Sequence, residues 1–477
     1  MNRLTFPRLA IFLLISHAAS LCPAADQEPR PLFVEGYASE VSYAAGEELA
    51  LHLSSTAKQV AVEITRLGGK PERVWEGETQ AVEHAVPENA SSHGCLWPAA
   101  HRMKIPPEWR SGYYQVTLRV RDGGGAWTQR NARTAEGGCY FIVRPARGTG
   151  AKVLLQFATN TYNAYNNWGG FCLYAFNGRA GVQGHRVSFH RPPASQFGNW
   201  EQAFVEWAER RGIALDYAAN SDLEFHPEVL EGRRLVLSVG HDEYWSAPMR
   251  DNLEKFIGTG GNVAFFSGNT CCWQVRSEDG GSALTSWKQN WASDPLYLSR
   301  GDKTEIPLLS SLWSHHLVKR PEHSLTGVGF LWGGYHKSHG QLMDGSGAFT
   351  VHRPDHWVFA GTKAARGTEF GGKDTIVGYE CDGCELEWRD GLPFPTHRDG
   401  TPDNFLPLAT APAIWHADDC QWYDKWEAGR KGNAVLGIYE RGGTVFTCGS
   451  TDWSHGLRGG DPTVERITLN VLERLGK

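Results

Sequence analysis

The chain has 477 residues, which predicts two domains, because single cores stop growing at about 250–300 residues. Charged residues make up 21% of the sequence and the net charge is −6, which excludes a basic surface for nucleic acid. The 19 Trp are compatible both with sugar sites and with large cores. After the N-terminus, no segment approaches the length of a membrane span, so the mature chain is predicted to be soluble and to bind no membrane.

The N-terminus has the pattern of a secretory signal peptide. Arg3 and Arg8 precede an apolar run at residues 9–15, and small residues follow up to Ala25. The apolar run is too short to cross a membrane. Residues 1–25 are therefore predicted to be a signal peptide, and the mature chain is predicted to be secreted or periplasmic.

Residues 30–147 have the pattern of a β-sandwich. The segments 49–53, 60–64 and 114–120 alternate apolar and polar residues with period two, as half-buried strands do. Glycine and proline separate these segments, and a last strand is predicted around 140–143. The domain is predicted to end at the Pro- and Gly-containing stretch that follows.

Residues 150–477 change to an alternation of strands and helices, which predicts a parallel sheet covered by helices. The predicted strands are 153–157, 215–217, 234–239, 262–266 and 444–447, and helices are predicted from Asn199 to Arg211, after Ser246 and from Asp461. The segment from about 274 to 440 has weaker periodicity and is predicted to be a large, partly β insertion. The predicted fold class is therefore α/β, with an N-terminal β-sandwich followed by a parallel-sheet domain.

Several common catalytic motifs are absent from the sequence. It contains no GxSxG elbow and no HExxH zinc motif, and the near match to a P-loop at 367–373 is followed by Asp374 where Ser or Thr is required. Cys381 and Cys384 have the CxxC spacing, but no second CxxC completes a four-sulfur zinc site. A local disulfide and two free buried thiols are both compatible with that pair.

Polar clusters follow three of the predicted strands. They lie at residues 160–170, which include two tyrosines and four asparagines, at residues 240–245 and at residues 268–269, and a fourth cluster lies at 377–382 in the insertion. The carboxyl ends of parallel strands are where open α/β sheets gather their active sites. The imidazole, carboxylates and phenol of 240–245 suit a hard metal or proton transfer better than packing. The sequence therefore indicates an enzyme.

Taken in order, these motifs resemble the large subunit of N,N-dimethylformamidase and the family that shares its C-terminal region. The resemblance rests on YNAYNNWGG, WEQAFVEWAERRGIALDYAANSDLE, GHDEYWSAPMRDNLEKFIGTGGN, SGN and VGYECDG, and it runs from about residue 150 to the end. It implies a domain related to class I glutamine amidotransferases, without their nucleophilic Cys. It also implies a hydrolase that acts on a small-molecule amide at a C–N bond other than a peptide bond. A small partner subunit or a homo-oligomer is expected.

The resemblance further implies a mononuclear iron site, because the family's enzyme holds one iron ion with two tyrosines and one glutamate. By motif, Glu243 would be the carboxylate ligand. Tyr162 would be one phenolate, with Tyr165 as the alternative. The sandwich strand would supply the other phenolate, Tyr114, with Tyr113 as the alternative. Such hard, anionic oxygen donors suit Fe³⁺.

The same resemblance places His241, Asn269 and Glu380 as catalytic groups around the metal. The iron would polarise the amide carbonyl and activate water, and Glu380 or His241 would move the proton from water to the leaving amine. Asn269 would orient the carbonyl or the developing oxyanion. Each residue also has a structural alternative: His241 as a helix cap, Asn269 as a left-handed turn residue, and Glu243 in an ion pair with Arg250.

Two other classes of function stay open. A β-sandwich joined to a Trp-rich domain is also typical of secreted carbohydrate-binding or carbohydrate-modifying proteins, and binding to polysaccharide without a metal would favour that class. A non-catalytic member of the fold is the other class. The intact Tyr162, Glu243 and Asn269 favour an enzyme, because a dead site has no physical reason to retain this polar cluster.

Overall fold

The computed structural model describes residues 31–121, 133–338, 341–343, 345–415 and 431–477, and the predicted signal peptide lies outside them. Residues Leu32–Lys477 form one unit. The boundary between the predicted domains 30–147 and 150–477 therefore stays a prediction. Within the described ranges, no helix has both the length and the apolar character needed to cross a membrane.

The N-terminal part folds into two sheets that share one core. Its elements are β1 (Val34–Ala38), β2 (Ser42–Tyr43), β3 (Glu48–Ser55), β4 (Gln59–Leu67), β5 (Glu72–Gln80), α1 (Ala90–His93), β6 (Ala99–Lys104), β7 (Gly112–Arg121) and β8 (Thr134–Val143). One sheet has the order β1-β3-β6 and the other the order β2-β8-β7-β4-β5. Leu51 of the first sheet and Val62 and Val116 of the second lie in the same buried cluster. The strands predicted from period-two alternation are confirmed, and the two layers make a β-sandwich.

The remaining elements mix strands and α-helices up to residue 326, and, within the described residues, a run of strands without an intervening α-helix then leads to the last two helices. They are β9 (Val153–Phe157), α2 (Thr159–Tyr165), β10 (Arg186–Ser188), α3 (Glu201–Arg210), β11 (Leu215–Ala219), α4 (Asn220–Phe225), β12 (Leu235–His241), β13 (Tyr244–Ser246), α5 (Ala247–Gly258), β14 (Asn262–Gly268), β15 (Trp273–Glu278), β16 (Ala283–Thr285), α6 (Pro295–Ser299), α7 (His323–Thr326), β17 (Gly329–Gly334), β18 (Lys337–Ser338), β19 (Gln341–Leu342), β20 (Phe349–Val351), β21 (Glu369–Phe370), β22 (Cys381–Gly383), β23 (Leu386–Arg389), β24 (Leu392–Pro395), β25 (Leu406–Ile414), β26 (Lys431–Arg441), β27 (Gly443–Thr447), α8 (Trp453–Gly459) and α9 (Pro462–Leu475).

A mixed central sheet organises this second part. Its order is β11-β9-β12-β14-β27-β26-β25-β20-β21. The strands from β11 to β27 run parallel, and those from β26 to β21 pair antiparallel. Because β9 lies between β11 and β12, the chain turns one way after β9 and the other way to reach β12. Open α/β sheets bind their ligands at such a reversal of strand order.

Both faces of the central sheet are covered, as the unbroken apolar runs predict. Leu235 and Leu237 of β12 lie in one buried cluster with Phe204 of α3, whereas Val236 lies in another with Leu253 of α5. Successive strand residues therefore face opposite layers. The predicted α/β class is confirmed at this level.

Two of the three predicted helix starts are confirmed. Ser246 Oγ accepts a hydrogen bond from the Met249 amide, and Asp461 Oδ1 accepts from the amides of Thr463 and Val464. These bonds satisfy amides that the first helical turn leaves without partners. The predicted cap at Asn199 is wrong, because α3 begins at Glu201 without a side-chain cap bond.

The segment predicted as an insertion is partly built into the central sheet. β25 and β26 pair along nearly their full lengths, and β26 pairs in turn with β27. Ala434 and Leu436 contribute to one buried cluster and Val435 to the other, so β26 is covered on both faces. The sequence did not predict that β25 and β26 belong to the central sheet, because they pair antiparallel, unlike the strand–helix alternation from which the sheet was predicted.

Candidate active site

Three neighbouring strands of the central sheet, β9, β12 and β14, end at the same edge. Thr159 begins α2 just after β9, His241 is the last residue of β12, and Asn269 follows β14 directly. β22 joins this edge through a bridge between Cys381 and Ser450, which lies just after β27. The four predicted polar clusters therefore meet at the carboxyl ends of the parallel strands, as expected for an open sheet.

Gly240 shapes the end of β12. Its φ is +80°, and a Cβ on this residue would overlap the Cβ of Trp200. Glycine therefore lets the indole of Trp200 pack against the imidazole of His241, with ring centroids 5.4 Å apart. The strand end and the start of α3 are held together at the site.

Asp242 fixes the turn and takes no direct part in the site. Its Oδ2 accepts hydrogen bonds from Gln156 Nε2 at 2.7 Å and Ser238 Oγ at 2.8 Å, and its Oδ1 accepts from Asn220 Nδ2 at 3.1 Å. All four residues are buried. These contacts anchor the turn to β9, α4 and β12. The side chain of the next residue, Glu243, points away from them, toward Tyr165 and Tyr174.

Two phenols converge on the carboxylate of Glu243. Tyr165 donates to Oε2 at 3.0 Å, and Tyr174 lies 2.8 Å from Oε1 and 2.7 Å from the Tyr165 hydroxyl. The Glu243 amide donates to Thr161 Oγ1 at 2.9 Å, which ties the turn to α2. Burial would raise the pKa of Glu243, but hydrogen bonding and charge from His241 hold it below its ordinary value.

His241 bridges Glu243 to a second carboxylate. Its Nε2 lies 2.7 Å from Glu380 Oε2 and 3.2 Å from Glu243 Oε2. Burial opposes a charged imidazole, but the two carboxylates raise the pKa of His241 to about 10. The charged imidazolium form of His241 is therefore favoured at neutral pH, with Nε2 close to both carboxylates. Arg250 pairs with Glu254 at 2.8 Å, so the alternative of a Glu243–Arg250 pair is not observed.

Asn269 combines both of its predicted properties. Its φ of +50° is left-handed, and its Nδ2 donates to Glu380 Oε2 at 3.1 Å. Asp382 holds the turn, because its two carboxylate oxygens accept from the amides of Asn269 and Thr270 at 3.0 Å each. Burial raises the pKa of Asp382 to about 7. The side-chain oxygen of Asn269 is buried and has no hydrogen-bond partner among the described residues.

The structure does not bring the predicted metal ligands Tyr114, Tyr162 and Glu243 together. The tyrosines of the sandwich point away from Glu243. Tyr114 faces the interior of the sandwich and donates to the Arg110 carbonyl at 2.6 Å. Tyr113 faces the other way and donates to Ser195 Oγ at 2.9 Å. In β7, alternate residues face opposite sides, and neither side carries a phenol to Glu243.

Tyr162 is also placed away from Glu243. It lies in the middle of α2, its hydroxyl donates to the buried Glu201, and its ring packs against Tyr140. Tyr165, the last residue of that helix, reaches Glu243 instead. The difference follows from local structure: residues 159–165 are helical, whereas the sequence indicated a polar cluster there and predicted no helix.

Sequence reasoning missed Tyr174 and Lys288, and it included the phenol of Tyr244 in the 240–245 cluster without giving it a role. Lys288 Nζ donates to the Tyr244 hydroxyl at 2.8 Å, and that hydroxyl lies 2.7 Å from the Tyr174 hydroxyl. Tyr174 lies in an irregular segment, where no hydrophobic periodicity predicts which way a side chain points. Lys288 lies 44 positions after Tyr244 in the sequence, so no local pattern connects it to the turn.

The donor set at Glu243 is compatible with a hard metal ion. Tyr165, Tyr174 and Glu243 offer two phenols and one carboxylate at mutual distances of 2.7–3.0 Å. Burial and the Glu243 charge raise both phenol pKa values well above the ordinary range. A bound cation reverses that preference. In the described part of the chain, no group of three or more His, Cys, Asp or Glu is positioned to hold a metal, and phenols are outside those residue types.

A curated relative and a family model carry the same family name. The chain is 23% identical over 226 residues to the N,N-dimethylformamidase beta subunit of Alcaligenes sp, which covers 38% of this chain and 28% of that protein. The chain thus matches little more than a quarter of that relative's length. A solved calcium-binding mutant of Bacteroides uniformis beta-glucuronidase 2 is 10% identical, covers 52% of this chain and 24% of that one, and has a TM-score of 0.13, too low to bear on the fold.

The family model described as N,N-dimethylformamidase beta subunit-like, C-terminal, matches residues 61–466. This range includes most of the sandwich, the central sheet and every residue of the site. The chain belongs to the N,N-dimethylformamidase beta subunit-like family.

Proposed function

We propose that this protein is an iron-dependent hydrolase that cleaves the C–N bond of a small amide. The observation that carries the proposal is the convergence of two phenols on Glu243 beside the buried His241–Glu380 pair. The relative named N,N-dimethylformamidase beta subunit supports the same class of reaction. A binding protein has no evident use for a buried acid–base pair at this position.

Tyr165, Tyr174 and Glu243 would hold the iron. Their oxygens are hard donors, and as two phenolates and a carboxylate they carry three negative charges, which suits Fe³⁺. When bound there, the ion would supply a Lewis acid that polarises the amide carbonyl. This assignment keeps the predicted ligand types, takes the stated alternative Tyr165 in place of Tyr162, and has Tyr174 in place of the sandwich tyrosine.

Glu380 would move the proton, and His241 would stabilise the charge that develops. As water adds to the carbonyl carbon, Glu380 takes its proton, and the imidazolium of His241 stabilises the negative charge that develops nearby. The C–N bond then breaks as the proton passes from Glu380 to the leaving nitrogen, which gives a carboxylic acid and an amine. Asn269 orients Glu380 through Nδ2, and its side-chain oxygen can accept a hydrogen bond from water or from the amine.

The surroundings favour a small amide with apolar substituents. Tyr379 is 39% exposed with its ring 6.1 Å from that of His241, and Phe176 is 68% exposed with its ring 5.2 Å from that of Tyr174. Exposed aromatic rings beside buried polar groups give a site both apolar contact and polar orientation. Short N-alkyl amides match that combination.

Metal analysis combined with amine release tests the proposal. We expect about one iron per chain and release of amine from at least one of formamide, N-methylformamide and N,N-dimethylformamide. Glu380→Gln should keep the iron and lower hydrolysis by about 10²-fold or more, because general acid–base catalysis contributes about 10²–10⁴-fold. Glu201→Gln, a buried carboxyl outside the site, serves as the control and should keep both.

Each negative result has a distinct meaning. Iron-loaded protein that releases no amine from an extended amide panel would contradict the reaction. Protein that takes up no iron from iron-replete medium would contradict the metal assignment. Equal activity of Glu380→Gln and wild type would contradict the role of Glu380.

Three broader features belong to the same proposal. The predicted signal peptide supports export to the periplasm or medium, and N-terminal sequencing of the mature protein should then start after Ala25. The beta-subunit name of the relative supports a small partner subunit or a homo-oligomer, which light scattering of the purified protein would detect. The parallel order of the central sheet supports a class I glutamine amidotransferase-like domain, which superposition of an experimental structure would test.

A further inference from the structure

Lys288 is a buried lysine beside the site. It begins a short 3₁₀ segment and has a left-handed φ of +52°. Its backbone is fixed by bonds to Ser310 and Ser311, which hold the residue in this strained conformation. Burying an ammonium and straining the backbone both disfavour folding, so the position points to a role in the site.

The Lys288 amine is in contact with two tyrosines of the site. Burial lowers the pKa of Lys288 to about 7, and a negative charge on Tyr174 would favour the charged form of the amine. Nζ donates to the Tyr244 hydroxyl at 2.8 Å and lies 3.2 Å from the centroid of the Tyr174 ring. It also lies 4.7 Å from the centroid of the Trp273 ring. Tyr174 is therefore approached by this cation at its ring and, through Tyr244, at its oxygen.

We propose that Lys288 is a positioning residue that stabilises Tyr174 as an anionic iron ligand, directly through its ring and indirectly through the Tyr244 hydroxyl. The inference rests on the proposed function. A phenolate accepts hydrogen bonds and cannot donate them. Because the ammonium donates to the Tyr244 oxygen, the Tyr244 proton is directed to the Tyr174 oxygen 2.7 Å away. Both phenols are bonded to Glu243, and Tyr174 also accepts the hydrogen bond from Tyr244.

The visible spectrum of the iron-loaded protein gives a direct readout. A cation and a hydrogen-bond donor stabilise the filled orbital of the phenolate, which raises the energy of its charge-transfer band to ferric iron. Lys288→Met, which has nearly the same shape without the charge, should move the band to longer wavelength. Tyr244→Phe should move it in the same direction by a smaller amount, because the cation over the ring remains.

Tyr217→Phe is the matched control. Tyr217 is also fully buried and donates to a carboxylate, Glu209, at 2.7 Å, but outside the site. It should leave the band unchanged. If Lys288→Met does not fold, Tyr244→Phe carries the test, because it removes a single oxygen atom.

The outcomes separate this inference from the proposed function. A wild-type band that stays at the same wavelength in Lys288→Met or, where that variant does not fold, in Tyr244→Phe would overturn the role of Lys288 and leave the iron site intact. A wild-type protein without iron and without a band would overturn the proposed function and this inference with it. A shift of equal size in the Tyr217→Phe control would show that the effect is not specific to the contacts among Lys288, Tyr244 and Tyr174, and would also overturn the role of Lys288.

Discussion

Adjacent residues in the 240–245 turn have different roles because their contacts differ. Asp242 is surrounded by three donors and serves as an anchor, whereas Glu243 receives two phenols and His241 joins two carboxylates. The residue types were sufficient to predict an acid–base or metal cluster here. They were not sufficient to select the tyrosines, because that choice depends on how α2 and the segment around Tyr174 return to the sheet.

Glu201 should give the stability of the protein a measurable pH dependence. Burial raises its pKa to about 7 from an ordinary value of 4.5. Below about pH 4.5 the group is protonated in both states. As the pH rises to 7, the unfolded chain loses the proton first, which favours unfolding. Relative to wild type, Glu201→Gln should therefore gain about 3 kcal/mol of unfolding free energy between pH 4.5 and pH 7.

Denaturant titration of both proteins at several pH values measures this difference. The gain should level off above about pH 7.5, where the folded wild type is also ionised. A difference between the two proteins that does not change with pH would contradict a raised pKa at Glu201.

At the scale of elements, the end of β12 depends on a glycine. Gly240→Ala would add a methyl group against Trp200 at a left-handed φ, and should displace Trp200 from His241. We expect a loss of about 2–4 kcal/mol from backbone strain plus overpacking. Hydrolysis should also fall, because His241 loses its packing partner.

Gly232→Ala is the control for the backbone strain alone. Gly232 has a φ of +73°, and a Cβ there would meet no described atom within 4 Å. This variant should lose about 1–2 kcal/mol and keep its hydrolysis. Equal effects of the two substitutions on activity would contradict the contact between Gly240 and Trp200 as the reason for the glycine.

The strands were predicted better than the loops around them. Period two in β3, β4 and β7 and unbroken apolar runs in β9, β12 and β14 reflect burial that the sequence records directly. Helix α2 was missed because asparagine and tyrosine favour it only weakly, and its burial among neighbouring elements stabilises it instead. The cap at Asn199 failed for a related reason, since packing of Trp200 sets where α3 begins.

At the scale of the whole molecule, a largely buried ion pair is one of the contacts that join the sandwich to the α/β part. Arg66 of β4 and Glu209 of α3 lie 2.6 Å apart, and Tyr217 of β11 donates to the same carboxylate at 2.7 Å. Glu209→Gln leaves the guanidinium without its counter-charge and should lower the unfolding free energy by about 3 kcal/mol. Denaturant titration measures this loss.

Glu48→Gln is the exposed counterpart, because Glu48 pairs with Arg102 at the surface of the sandwich. Its effect should be within about 0.5 kcal/mol. An equally small effect of Glu209→Gln would contradict a stabilising role of the ion pair between the sandwich and the α/β part.

The sequence predicted the fold class and the order of the β-sandwich and the parallel-sheet part along the chain. It did not predict which distant strands pair. The predicted insertion extends the central sheet, and the sandwich supports the α/β part without sending Tyr114 to the site. Pairing between distant strands depends on contacts that no local pattern records. The resemblance implied two tyrosines and a glutamate as metal ligands, and the structure brings Tyr165 and Tyr174 to Glu243.

The most direct test of the account is the visible spectrum of iron-loaded protein with each tyrosine replaced in turn. Tyr165→Phe and Tyr174→Phe should each weaken or abolish the tyrosinate-to-iron band, whereas Tyr162→Phe should leave it unchanged and cost only the stability of its bond to Glu201, about 1–3 kcal/mol. A band that is lost in Tyr162→Phe but retained in both other variants would contradict the site as the structure assembles it.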